Sequence, residues 1–200
     1  MTPTEDILRY WFQDGLESGW PSSKLGALWF GGGPALDSQI LDRFGYWVHQ
    51  AVDGGLEAWE SPILDRMALV LLLDQFTRNV YRGQARAFAG DARAQALATT
   101  TLSAGLDAGL PLVGRVFMAM PLMHAERLDL QDRSVAYFEA LLAASPDGRV
   151  PDLQGNLAAA REHREIIARF GRFPHRNGVL GRPSSAEEQA YLHTARRFGQ

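Results

Sequence analysis

The chain contains no cysteine. Disulfides, cysteine–zinc sites, iron–sulfur clusters and a cysteine nucleophile are therefore excluded. Lysine is nearly missing too: of 20 basic side chains, 19 are arginine and only Lys24 is lysine. This bias reflects composition and is not itself a functional signal. Long apolar runs are lacking, the longest being the seven residues Met67 to Leu73, against the roughly 20 needed to span a membrane. The opening Met1-Thr2-Pro3-Thr4-Glu5-Asp6 is polar and acidic, the opposite of a signal-peptide n-region. A cytoplasmic, soluble protein with no membrane partner is the expectation. Charge of one sign is lacking as well, with 20 basic residues against 23 acidic and a net −3, so no nucleic-acid partner is expected.

What remains is an ordinary globular composition. The 200 residues are 46% apolar and 22% charged, enough for a real core and consistent with a single domain over residues 1–200. Charge is uneven along the chain. Residues 1–65 carry three basic and ten acidic side chains, whereas residues 161–182 carry six arginines against Glu162 and Glu165. An acidic N-terminal half set against a basic C-terminal half is the simplest reading, with a basic pocket that meets an anion as the alternative.

Helical punctuation recurs throughout. Thr4 precedes a stripe of Ile7, Leu8, Trp11 and Phe12. Gly15 to Ser23 and Gly31-Gly32-Gly33-Pro34 read as loops. Leu36, Ile40, Phe44, Trp47 and Val48 fall at helical spacing before Gly54-Gly55 stops them. Ser61-Pro62 reads as a cap with proline at the first helical position, opening the most apolar helix, from Ile63 to about Phe76. Further helices are expected from Asp91 as cap to Gly105 or Gly109, from Leu112 to Met123 with an interruption at Pro121, and from Asp129 or Asp132 to Ser145-Pro146-Asp147-Gly148. Two more follow, over Leu157 to Phe170 and from Ser184 or Ser185 onward. No stretch alternates in the β manner, so the fold class is all-α. Short connections favour antiparallel neighbours, in a bundle or a hairpin solenoid. No repeat of roughly 34 residues recurs.

Three segments place polar side chains where a structural helix has no evident need of them. In the first, Asp74 and Arg78 share a helix face and can pair, with Gln75 and Asn79 as a second couple beside them. A salt-bridge and amide network fixing the helix end would use the same residues. In the second, His124 and Glu126 follow Pro121, so that a kinked segment brings both to one cavity; a histidine buried on a backbone carbonyl is the plainer alternative. In the third, His163 lies on the apolar side of its helix with Ile166, Ile167 and Phe170. Arg161, Glu162, Glu165, Arg169 and Arg172 interlock on the other side. The chain must leave that helix at Phe173-Pro174, which gathers Arg172, His175 and Arg176 at a turn. The negative end of the helix dipole would attract such a cluster even without a ligand.

No histidine of this group has an acidic or histidine partner at helical metal-ligand spacing, so no metal and no cofactor is expected. Gly31-Gly32-Gly33 follows no strand and lacks Lys-Ser/Thr, and Gly-x-Ser-x-Gly is missing.

Leu71-Leu72-Leu73-Asp74-Gln75-Phe76-Thr77-Arg78-Asn79-Val80-Tyr81-Arg82-Gly83, Ala85 to Phe88, Pro121 to Glu126 and His163 to Asn177 together resemble a bacterial family known as domain of unknown function 924. Ile7 to Phe12, Trp29-Phe30, Leu180-Gly181-Arg182 and Ser184 to Glu188 resemble it too. Thr77 and Gly178 depart from the pattern without changing a charged group. The resemblance implies a tetratricopeptide-like, right-handed array of antiparallel helical hairpins in one domain. It implies no activity and no residue roles.

The three segments are expected to meet at a cleft lined by Asp74, Gln75, Arg78, Asn79, His124, Glu126, His163, His175 and Arg176, with Arg169 and Arg172 as further ligand-binding candidates. A small anionic molecule or an acidic peptide is the expected partner, because guanidinium grips carboxylate or phosphate bidentately. Two alternatives remain open. One is a hydrolase in which Glu126 or Asp74 is the base, His124 or His163 the acid, and Arg78 the charge stabiliser. The other is an interaction scaffold that presents Trp20 or Trp59.

Overall fold

A computed structural model of the chain describes residues 1–145 and 150–193. Among the described residues all regular structure is helical, so the all-α class holds. The helices are α1 (Pro3–Phe12), α2 (Gly15–Ser18), α3 (Pro34–Val52), α4 (Ile63–Leu71), α5 (Thr77–Val80), α6 (Asp91–Ser103), α7 (Leu112–Met123), α8 (Leu128–Ala143), α9 (Val150–Phe170) and α10 (Ala186–Leu192). Among the described residues, none is long and apolar enough to cross a membrane. The expected turn at Pro146-Asp147-Gly148 lies outside the described residues. The chain divides into two compact units, the first being Met1–Met118 and the second starting at Ala119, within α7.

In the first unit α1 starts earlier than the sequence reading placed it. Thr2, not Thr4, is the cap: its hydroxyl accepts from the Glu5 N–H, Glu5 answers the Thr2 N–H, and Pro3 takes the first position, where no N–H bond is lost. Thr4 is inside the helix and buried. Gly15–Ser18 is helical within a stretch expected to be a loop, and the π-helical Ala27–Gly31 reaches the first residue of the loop expected over 31–34. The apolar stripe of α1 is fully covered, and Phe76 is the hub it packs on, with ring centroids 5.0 Å from Trp11 and 5.2 Å from Phe44. Trp29 joins from the other side, donating its indole N–H to the Trp11 carbonyl at 2.9 Å.

The most apolar helix is longer than the sequence spacing implied and is not uniform. A π-helical turn, Leu72–Phe76, carries α4 into α5, so helical backbone runs from Ile63 to Val80. Its start also differs: Pro62 occupies the cap position and no side chain caps it. Asp91 is likewise not a cap but the first residue of α6, after Gly90. Gly90 is there for space: a Cβ would lie 2.4 Å from the Leu73 carbonyl oxygen, so α6 begins directly on the backbone of the π turn.

In the second unit α7 runs through Pro121 to Met123 without the expected interruption. Pro121 stands in the last turn and removes one N–H only. The end is secured from α8, where buried Gln131 donates to the carbonyls of Met123 (2.6 Å) and Ala125 (2.8 Å). Helices α8 and α9 are antiparallel neighbours, since Asp132 pairs with Arg164 and Glu139, a further seven residues on, pairs back to Arg161. The helix α9 begins at Val150 rather than Leu157, because Pro151 is only its second residue, where an N–H has no helical partner to lose. Ser185 caps α10, as expected, in a reciprocal box with Glu188.

Two glycine substitutions test this packing. Gly90→Ala will lower unfolding stability by about 1–3 kcal/mol in urea denaturation, because the Leu73 backbone cannot yield cheaply. Gly155→Ala, mid-helix in α9 with open space around it, will raise stability by roughly 0.5–1 kcal/mol.

Candidate functional site

The polar residues of the first segment sit on the π turn and the helix after it. Such turns often mark sites where a helix is adapted to a task. Asp74 is almost fully buried and accepts from the Gln75 amide at 2.6 Å. The Asp74–Arg78 pair read from the sequence exists but is long, at 3.7 Å. Arg78 makes its close pair with Asp91, at 2.6 Å, donates to the Ala87 carbonyl, and lies over the Phe88 ring at 4.8 Å. Asn79 donates to Asp37 of α3 at 2.8 Å, and Arg82 grips the same carboxylate at 2.6 and 2.9 Å. Burial opposes charge on Asp37, yet Arg82 and Asn79 outweigh it and hold its carboxyl below the ordinary range. The π turn widens the helical repeat, so partners counted as i, i+4 no longer lie squarely over one another.

In the second unit, the second and third segments come together around Phe173, which is fully buried. Glu126 receives three hydrogen bonds there: the Phe173 N–H at 2.8 Å and both terminal nitrogens of Arg182, at 2.6 and 2.9 Å. Burial penalises the Glu126 charge, but Arg182, the Phe173 amide and Arg176 together hold its carboxyl below the usual value. Arg182 also donates to the Asn177 side chain at 3.0 Å and to the Phe173 carbonyl at 3.2 Å, which closes the turn on itself.

Two imidazoles and a guanidinium surround the same ring. His163 meets Phe173 edge-on with centroids 5.5 Å apart, His175 lies at 5.4 Å, and Arg176 sits over the face at 4.5 Å. His124 is 6.1 Å from His163. With Nδ1 of His163 donating to the Ala159 carbonyl at 2.8 Å, its Nε2 is the acceptor. Burial, then His124 and Arg176, push His163 down to about 4. Burial, then Arg176 and His163, push His175 down to about 3 against the pull of Glu126. Both rings are neutral at pH 7.

Arg169 and Arg172 behave differently from that group. Their partners are on α10: exposed Arg169 pairs with Glu187 at 2.8 Å, and Arg172 grips Glu188 at 2.6 and 2.8 Å. Arg172 outweighs burial and holds Glu188 down to about 2. Arg161 reaches Glu139 on α8 in the same way, so the charges of α9 interlock with neighbouring helices rather than along α9 itself.

A family model described as a bacterial protein of unknown function, DUF924, matches residues 7–196. The chain belongs to this family. It is also similar to a solved structure, that of a protein of unknown function, ATU0120, from Agrobacterium tumefaciens. The identity is 34% over 96% of this chain and 97% of that one, with a TM-score of 0.77. No curated protein matches it.

Several polar partners in this DUF924 chain escaped the sequence reading. Arg182 is 56 residues from Glu126 and Asp91 is 13 from Arg78, distances at which no helical spacing rule applies. Asp37 and Arg82 are similarly remote. One signal was available for Arg182: it follows Gly181, and a glycine marks a candidate turn, which the structure places at φ 65°.

Two measurements check the site. Glu126→Gln will cost on the order of 2 kcal/mol, reduced from the fully buried case because both partners are about one-quarter exposed. Arg182→Met in that background will cost less than it does alone, in a double-mutant cycle. The histidine shifts also set a sign. With folded values below 6.5, the unfolded chain binds more protons than the native one between pH 6.5 and about 4 for His163. Stability from His163 is complete above pH 6.5 and is lost as pH falls to 4, on the order of 3 kcal/mol. Urea midpoints across this range will flatten in His163→Leu.

Proposed function

We propose that this DUF924 protein binds a small anionic molecule, or the carboxylate end of an acidic peptide, at the histidine–arginine cluster of its second unit. The carrying observation is that Arg176 lies 4.5 Å over the buried Phe173 ring, against which His163 and His175 also pack at 5.5 and 5.4 Å. Its charge lowers the pKa of both imidazoles and of Glu126, in a place where burial magnifies it. An anion entering there opposes the repulsion that, after burial, keeps both imidazoles neutral. Binding is then linked to proton uptake, and each imidazole that gains a proton becomes a second donor. Perturbed titrating groups gathered around one ring are more common at functional sites than elsewhere. The histidines are poor general bases at neutral pH, and the Glu126 carboxylate already accepts three hydrogen bonds. Retention of an anion therefore suits these groups better than hydrolysis. Arg169 and Arg172, matched by carboxylates on α10, are not needed for it.

Sulfate, whose own charge is constant over the range, is the probe. Calorimetric titration will show binding that strengthens at least fivefold from pH 8 to pH 5. Nuclear magnetic resonance of the imidazole Cε1 protons will show the pKa values of His163 and His175 rising on saturation. Arg176→Gln will abolish both effects. Imidazole titrations that ignore sulfate, or an Arg176→Gln variant that binds it as before, would overturn the reading.

A further inference from the structure

The first unit carries a feature that the anion reading does not use. The N-terminal turn of α1, the outer face of α3, the Glu57–Glu60 turn and the start of α4 border a half-open surface cavity of about 480 Å³. This is within the range of small-molecule sites, roughly 300–1,000 Å³. Its wall is aromatic. The Trp47 and Trp59 rings are 5.4 Å apart at 32°, too close to admit a ligand between them, so together they present one extended indole surface. Both are only partly covered, and neither indole N–H has a hydrogen-bond partner among the described residues. Leu8, Pro3 and Leu64 complete the apolar lining.

The charged side chains that line the cavity, Glu5 and Asp65, are both acidic. Glu5 is committed to the cap of α1. Asp65 is not: half-buried in the first turn of α4, it has no ion pair or hydrogen bond among the described residues. The contrast with other acidic residues of this region is informative, since Asp6, Asp37, Asp53 and Glu60 each hold an arginine. Two helix N-termini face the cavity with partial positive charge, but each carries a formal carboxylate in its first turn. The full charges outweigh the half-charges, and the cavity is net negative.

We propose that this cavity is a binding site for a small organic cation, of the quaternary or alkylammonium class. Its methylene or methyl groups lie on the indole surface of Trp47 and Trp59, where the ring quadrupole attracts positive charge, and its counter-charge is Asp65. An indole face alone accepts any apolar group. The partnerless carboxylate beside it makes the preference cationic.

Choline and 3,3-dimethylbutan-1-ol, its neutral isostere, separate shape from charge. Added to the full chain, choline will give a saturable change in tryptophan fluorescence, and the neutral alcohol will bind at least tenfold more weakly. Asp65→Asn, which keeps the side chain's size and breaks no ion pair or side-chain hydrogen bond among the described residues, will weaken choline three- to tenfold and leave the alcohol unchanged. Trp59→Leu will weaken both, and circular dichroism will check that it remains folded. Equal binding of choline and the alcohol, no saturable response to choline, or indifference to Asp65→Asn would each overturn the proposal. Sulfate binding at the second unit is expected to persist in every one of these variants, so the two sites stand or fall separately.

Discussion

Glu126 accepts hydrogen bonds from a backbone amide and a guanidinium that lie 47 and 56 residues further along the chain. Much of the second unit depends on that carboxylate. It fixes Phe173 at the point where the chain leaves α9, and Phe173 in turn is the surface against which His163, His175 and Arg176 are arranged. Because Arg182 binds the same carboxylate through both nitrogens, the loop between them cannot drift without breaking two charge-assisted bonds at once. His163 and His175, both neutral at pH 7, are thus held in place by an ion pair at the border of their cluster. The acidity of the histidines follows from that arrangement and needs no unusual chemistry of their own.

The first unit uses arginine for assembly. Asp37, Asp53 and Glu60, from the acidic opening of the chain, are answered by Arg82, Arg86 and Arg93. The charge asymmetry visible in the sequence is therefore met partly at short range, inside this unit. Gly32 marks how tightly: a Cβ there would come within 2.8 Å of the Arg82 guanidinium. With φ at 65°, the position suits glycine on both counts.

Helix identity was legible because apolar periodicity and caps are local properties. The Ser185 cap and the stripe through Ile7, Leu8, Trp11 and Phe12 are examples, and both are present as read. Boundaries were less legible where proline was given too much weight. Pro121 does not interrupt α7 although it costs one bond near the helix end, whereas Pro151 is harmless in the first turn of α9, where an N–H has no helical partner. The polar residues of interest were visible as residues but not as pairs. Spacing suggested Asp74 for Arg78, whereas the close partner is Asp91, brought there by the approach of α6 at Gly90. Likewise His124 and Glu126 were read together, but Arg182, which gives Glu126 its role, depends on tertiary closure that no local pattern encodes.

The π turn at Leu72–Phe76 contains, in effect, one residue more than an α-helix of the same rise would hold. Each residue of an α-helix turns the chain by roughly 100°. A single-codon deletion in this stretch would remove the residue that makes the turn wide, and unbroken α geometry would have to form against the close contact of Gly90 with Leu73. It would also rotate Arg78, Asn79 and Arg82 by about that angle, away from Asp91 and Asp37. Length is thus constrained here along with residue type, because the extra residue sets the direction of the three polar side chains that follow it.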